Sequence, residues 1–247
     1  MKIITVVITL VSLTIVNVSA LAASSIELKY FGARGAVETA RILLALADID
    51  YVDTRFEITP GTMNAPDFIA SKESGELDVN LARAPVLLVD DQTIGQSRTI
   101  ERFLAKRFGL MGSTDIEEAQ IDCIAEHCRD VKDASLRKGF SVFNRVNSDE
   151  EKATLRKDLY DSELPIMLSK VEKAVQLNSV TDGYSVGKDN SYADVSIFSL
   201  IRDCGAGDQE DMIKAVKDCS LLSTIASRIA NDENVAKWIK NRPFSNF

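Results

Sequence analysis

Hydrophobic residues recur along this chain with two different periods, and the switch between them falls near residues 110–113. Before it, strand-like alternation and helical spacing take turns; after Gly112 only helical spacing remains. A period of two buries one face of a strand and a period near 3.6 buries one face of a helix, so the pattern calls for a mixed α/β unit followed by an all-helical unit. With 247 residues and 45% hydrophobic content, there is material for two cores in contact. The expected boundaries are 25–108 for the first unit and 113–247 for the second.

In the first unit, Ile26, Leu28 and Tyr30 alternate with Glu27 and Lys29, which predicts a half-buried strand. Val37, Ala40, Leu44 and Ala47 then repeat at helical spacing over 36–47, and Asp48 with Asp50 ends the pattern. The stretch "YVDTRFEI" (51–58) reads as a second strand, so the opening is a βαβ unit with parallel strands. Residues 59–80 carry Pro60, Gly61, Pro66 and Gly75 and are expected to be mostly irregular, with a short helix over 67–72. Val86 to Val89 and Gln92 to Ile94 flank Asp90-Asp91 as a hairpin, and 97–108 forms a helix stopped by Gly109.

In the second unit, Thr114 and Glu117 predict a capping box at the start of a long helix whose apolar stripe is Ile121, Ile124, Ala125, Cys128 and Val131. Ser148 and Glu151 predict a second box. The stripe that follows runs into Pro165, which should kink the helix or split it. Further helices are expected over 191–203, 210–217, 221–230 and 233–240.

Composition removes several classes of function. Net charge is −8, and no run of five Lys or Arg occurs, so nothing favours nucleic acid or another polyanion. Of the four cysteines, Cys123 and Cys128 are five apart on one helix and point apart, and no Cys-x-x-Cys exists. That argues against a dithiol redox centre and against a zinc knuckle, and no metal is expected. The single histidine, His127, sits mid-helix and reads as a solvated or half-buried helix residue. Residues 3–16 are apolar or hydroxylic, and Ala20-Leu21-Ala22 fits a small-x-small cleavage site. Residues 1–22 therefore read as a secretory signal peptide, with secretion or residence in the endomembrane lumen and no membrane association after cleavage. The rival reading, an uncleaved anchor, meets an apolar stretch shorter than the roughly 20 residues a span needs.

The order βαβ–ββα raises the thioredoxin-like fold, which places a cis proline at the start of its third strand. In "ARAPVLLV", Pro85 immediately precedes the strand pattern, and X-Pro is the bond for which cis is accessible. Where a redox member of that fold would carry Cys-x-x-Cys, this chain has "YFGARG", so a thiol has to come from a ligand.

The stretches "ELKYFGARGAVETARILLALADIDY", "APVLLVDDQTIGQSRTIERFLAKRFGLMGS", "AQIDCIAEH", "NSYADVSIFSLI" and "VAKWIKNRPFSNF" resemble the cytosolic-type glutathione S-transferases, closest to the tyrosine-type sigma and alpha classes. The resemblance implies glutathione as co-substrate with no cofactor, a small apolar electrophile as acceptor, and a homodimer. It makes Tyr30 the catalytic tyrosine and Arg34 a neighbouring positive charge. Gln96 and Ser97 match the site for the γ-glutamyl end, with Ser97 also a candidate helix N-cap. Ala84, held by Pro85, would pair its backbone with the cysteinyl main chain. Arg83 matches a contact near the glycyl end, and Asp122 an acid reaching the glutamyl amine from the neighbouring subunit. Ser191 and Asp194 match a buried capping motif without a catalytic part. Of the pattern's Trp and Lys after the second strand, the Trp has no counterpart, since the one tryptophan is Trp238, and Lys72 is the candidate for the Lys in a segment longer than the pattern's.

Tyr30's implied role has a definite physical content. A thiol of pKa near ~8.5 is mostly protonated at neutral pH, whereas the thiolate is the nucleophile. Each unit of lowering needs about 1.4 kcal/mol, and a hydrogen bond to a charged group supplies roughly 1.5 to 3, so one hydroxyl can account for one or two units. Two alternatives share the fold: a glutathione-dependent isomerase or peroxidase of the prostaglandin-D-synthase kind using the same tyrosine, and a non-catalytic ligand carrier, which would not need it.

Overall fold

The computed structural model describes residues 25–245 except 60–61, 63, 141–145, 182 and 204–208. The signal-peptide segment lies outside the described residues, as does Cys204. Among the described residues no helix is long and apolar enough to cross a membrane.

The α/β unit is built from β1 (Ile26–Phe31), α1 (Glu38–Leu46), β2 (Val52–Phe56), α2 (Pro66–Glu73), β3 (Val86–Val89), β4 (Gln92–Gly95) and α3 (Ser97–Arg107). Its sheet has the order β2-β1-β3-β4, with β1 parallel to β2 and antiparallel to β3, and β3 antiparallel to β4. The parallel pair follows from the helical crossover, and the antiparallel pair from the short Asp90-Asp91 connection, where Asp90 takes a φ of +53°. Ile26 and Leu28 bury against Leu44 and Ile100 from α1 and α3. Pro66 opens α2, where a missing N–H costs nothing, and a 3-10 turn at Asp78–Asn80 follows, so 59–80 holds more regular structure than expected. Gly109, at φ +73°, ends α3 as expected.

The helical unit comprises α4 (Asp115–Arg137), α5 (Asp149–Asp158), α6 (Leu164–Asn178), α7 (Tyr192–Ile201), α8 (Gln209–Ala215), α9 (Ser220–Ala230) and α10 (Glu233–Asn241). The break foreseen at Pro165 is a π turn, Leu159–Glu163, between α5 and α6. Ser148 and Glu151 form their reciprocal box. Thr114 and Glu117 form only half of one: the Thr114 hydroxyl accepts from the Glu117 N–H, but the Glu117 carboxylate turns to the Ser113 N–H and hydroxyl. Helix α7 is buried almost all round and packs on α4, α9 and α1, as a helix apolar on every side must. Ile42 and Leu43 of α1 and Ala105 of α3 join the helical core, so one continuous apolar contact fixes the two units against each other.

Candidate active site

Tyr30 stands near the end of β1, half-buried, with its ring over the turn that leads into α1. That turn needs glycine: at Gly35 (φ +43°) an added Cβ would fall 2.6 Å from the Tyr30 hydroxyl oxygen. The hydroxyl oxygen accepts the Ala36 N–H at 3.2 Å. Its own proton has no protein acceptor among the described residues, so it is free to point outward. Phe31, the next residue, meets the Tyr30 ring edge-on with centroids 5.4 Å apart and packs into an aromatic cluster with Phe56 and Phe68.

Arg34 follows in the same turn, and its charge is not isolated. Its guanidinium meets Asp203, at the end of α7, at 3.0 Å, and its N–H donates to the Ser245 hydroxyl at 3.4 Å. Arg242 also pairs with Asp203, at 2.7 Å, and with Glu38 at 2.8 Å, while Arg41 donates to the Ala33 carbonyl at 2.7 Å. The turn is thus gripped from α1, α7 and the C-terminal segment together. The field that Arg34 alone would exert is offset by the Asp203 carboxylate beside it.

The Ala84-Pro85 bond is cis, as the sequence suggested. Across from it, Gln96 is the residue before α3, exposed and at φ +67°, and its N–H is taken by the Asn80 side chain at 3.2 Å. Ser97 is therefore the first helical residue and not the N-cap, and no side chain caps this helix. Asn80, buried, also donates to the Pro85 carbonyl at 2.8 Å, so one side chain ties the cis-proline loop to the start of α3. Gly95 makes this approach possible, since a Cβ there would lie 2.8 Å from that of Asn80. Arg83 is exposed nearby, its side chain directed at the Asn80 carbonyl at 3.4 Å. Asp122, on α4, is ion-paired with Arg102 of α3 in the same chain, at 2.5 Å.

A cleft of about 340 Å³ opens between the two units, starting at Arg34, Gly35 and Ala36 and walled by α1, α3, α4 and α7. On its floor, Glu101 is only 7% exposed and its Oε2 accepts the Tyr192 hydroxyl at 2.6 Å. Burial pushes the Glu101 carboxyl up to about 6, against the pull of the Tyr192 hydrogen bond and the Lys132 charge. Cys128 also faces the cleft, and burial pushes its thiol up to about 12, so it is not a nucleophile at neutral pH. His127 is half-buried and lies 3.4 Å from Cys123, away from Tyr30 in the fold's wall of α4. Among the described residues no group of His, Cys, Asp and Glu is arranged to hold a metal.

Tyr30, near the end of β1, the cis-proline loop before β3 and the bare start of α3 after β4 therefore come together at one end of the sheet, and Gly35 and Ala36 beside the Tyr30 hydroxyl line the cleft. Asn80, Asp203 and Arg242, which hold that arrangement, carried no signal in the sequence. Each lies in or next to a loop and acts on residues brought close only by the fold.

Comparison with known proteins agrees with this geometry. The family model for the glutathione S-transferase N-terminal domain matches residues 26–106, and that for its C-terminal domain residues 134–242. A probable glutathione S-transferase of Caenorhabditis elegans is 30% identical over 89% of this chain and 97% of its own length. A glutathione S-transferase of Plasmodium falciparum is 27% identical over 88% and 96%. Among solved structures, the Pi-class glutathione S-transferase of Onchocerca volvulus superposes with a TM-score of 0.73 at 25% identity, covering 88% of this chain and 93% of that one. With a tyrosine hydroxyl beside an interdomain cleft, a cis-proline loop opposite it, and both domains matched in order, the chain belongs to the glutathione S-transferase family.

Proposed function

We propose that this protein is a tyrosine-type glutathione transferase in which bound glutathione releases its thiol proton to water and the Tyr30 hydroxyl, donating a hydrogen bond to the sulfur, holds it as the thiolate. The thiolate attacks an electrophilic carbon of a second molecule in the cleft, forming a C–S bond. The leaving group departs with its bonding electrons, or, in a conjugate addition, the resulting enolate takes a proton from water. The observation that carries this reading is the Tyr30 hydroxyl itself. Its oxygen is already supplied by the Ala36 N–H, which orients the phenol and leaves its proton for a guest.

The remaining roles follow from position. The uncapped N–H groups at the start of α3, with the Ser97 hydroxyl and Gln96, suit the γ-glutamyl carboxylate. The Ala84 backbone, set by Pro85, suits the cysteinyl main chain, and Arg83 the glycyl carboxylate. Arg34 acts mainly by holding the turn beneath Tyr30 through Asp203. Asp122 reaches the glutamyl amine of a second copy only by sharing or releasing Arg102. That requires a homodimer, which light scattering of the purified protein checks. Clearance of reactive compounds, after export by a cleaved signal peptide, is the setting this reading implies.

The direct test is an aryl halide assay with glutathione. Wild type conjugates; Tyr30→Phe loses most turnover while keeping glutathione affinity. A wild type that binds apolar ligands tightly but conjugates nothing identifies a carrier and overturns the proposal.

A further inference from the structure

The cleft that would hold the acceptor has charged walls as well as an apolar strip. Three of its cations are already matched: Arg34 by Asp203 at 3.0 Å, Arg129 by Asp133 at 2.8 Å, and Arg98 by Glu126 and by Asp133 at 3.5 Å. Lys132 is different. It lines the same cleft, is exposed, and makes no ion pair or hydrogen bond among the described residues. Glu101, the one carboxylate there without an ion pair among the described residues, is sunk in the floor with an oxygen taken by Tyr192, and it acts on Lys132 only at longer range. One turn further along α4, Leu136 lines the cleft too and is 64% exposed. Lys132 and Leu136, four apart, are neighbours on one helix face, and Ala36 and Leu200 line the cleft as well.

We propose that the acceptor is an electrophile with an apolar body and an anionic group, a carboxylate in the simplest case, and that Lys132 receives that group. The inference rests on the transferase reading and narrows its substrate class. An unmatched ammonium beside an exposed leucine offers an amphipathic acid a charge contact and an apolar contact at once. A neutral acceptor would gain only the second. The arginines already sit in shared ion pairs, Arg34 and Arg242 on Asp203 and Arg98 and Arg129 on Asp133, so an anion at either place would compete with a carboxylate already there.

The test compares a chloronitrobenzoate with its primary amide, both as acceptors for glutathione, in wild type, Lys132→Ala and Lys132→Arg. In Lys132→Ala the KM for the benzoate should rise about fivefold, with kcat unchanged and the amide unaffected. Lys132→Arg should restore the benzoate KM, and added salt should erase the difference in wild type. The glutathione conjugates of the two compounds, titrated by calorimetry, should show the same discrimination without turnover. If Lys132→Ala alters acid and amide equally, or neither, in KM and in conjugate binding, the anion contact is refuted while an active wild type keeps the transferase reading. If wild type turns over neither compound yet its binding discriminates through Lys132, the transferase reading falls and the anion site stands.

Discussion

Two helix N-termini in this molecule have opposite fates. At α7 the capping side chains are spent inside the protein. The Ser191 hydroxyl accepts from the Asp194 N–H at 3.3 Å, and the Asp194 carboxylate answers the Ser191 N–H at 2.9 Å and the Ser185 N–H at 2.8 Å, with Arg228 at 3.2 Å. Asp194 has no exposure at all. At α3 the capping residue is exposed Gln96 in the left-handed region, and no side chain closes the first turn. A helix start with satisfied donors holds a fold together. One with open donors, beside a tyrosine proton that is also unspent, waits for a ligand.

The contrast can be broken first at its closed end. Asp194→Ala removes a buried carboxylate from three hydrogen bonds and takes the ion-pair partner from Arg228, which keeps Asn190 and the Gly183 carbonyl, so unfolding free energy should fall by about 3–5 kcal/mol in urea titrations. A loss below ~1 kcal/mol would mean that α7 does not depend on its box. At the open end, Tyr30→Phe should leave stability nearly unchanged and lower kcat/KM at neutral pH roughly 10- to 100-fold, since a hydrogen bond to a charged sulfur is worth about 1.5–3 kcal/mol. Steady-state kinetics with an aryl halide reads this directly.

Glu101 lies between the two cases: hydrogen-bonded to Tyr192, yet facing the cleft. Its carboxyl is raised from 4.5 to about 6, chiefly by burial, so the folded state holds the proton to higher pH than the unfolded chain does. Its contribution is fully present below ~4.5 and is lost as pH rises through ~6, a change of about 2 kcal/mol. Wild-type stability minus that of Glu101→Gln, followed from pH 4 to pH 7 by urea titration, should fall by that amount. The smallest effect belongs to Ser97→Ala: glutathione KM up about fivefold, stability within ~0.5 kcal/mol.

Much of this was legible in the residues because it is local. The change of period, the hairpin at Asp90-Asp91, the Ser148 box and the break at Pro165 each follow from neighbours in sequence. Pro85 and Tyr30 were readable because one sits at a strand start and the other at a strand end. The misreadings have a common cause. Ser97 looked like a cap because serine often is one, but Asn80, 16 residues earlier, holds the Gln96 N–H and turns Gln96 into the capping position. Glu117 had the spacing of a reciprocal box, yet Ser113 offers its carboxylate two donors at once. Arg34 looked like a free charge because its partner, Asp203, lies 169 residues away. Periodicity reports which face is buried; it does not report which distant side chain will arrive there.

The central claim is that the Tyr30 proton keeps a guest sulfur ionised. Titrating the ultraviolet absorbance of the thiolate in the glutathione complex measures this without any acceptor present. The account predicts an ionisation one to two units below the ordinary thiol value of ~8.5 in wild type, returning to near that value in Tyr30→Phe. The same titration midpoint in both proteins, with glutathione shown to be bound, would contradict it.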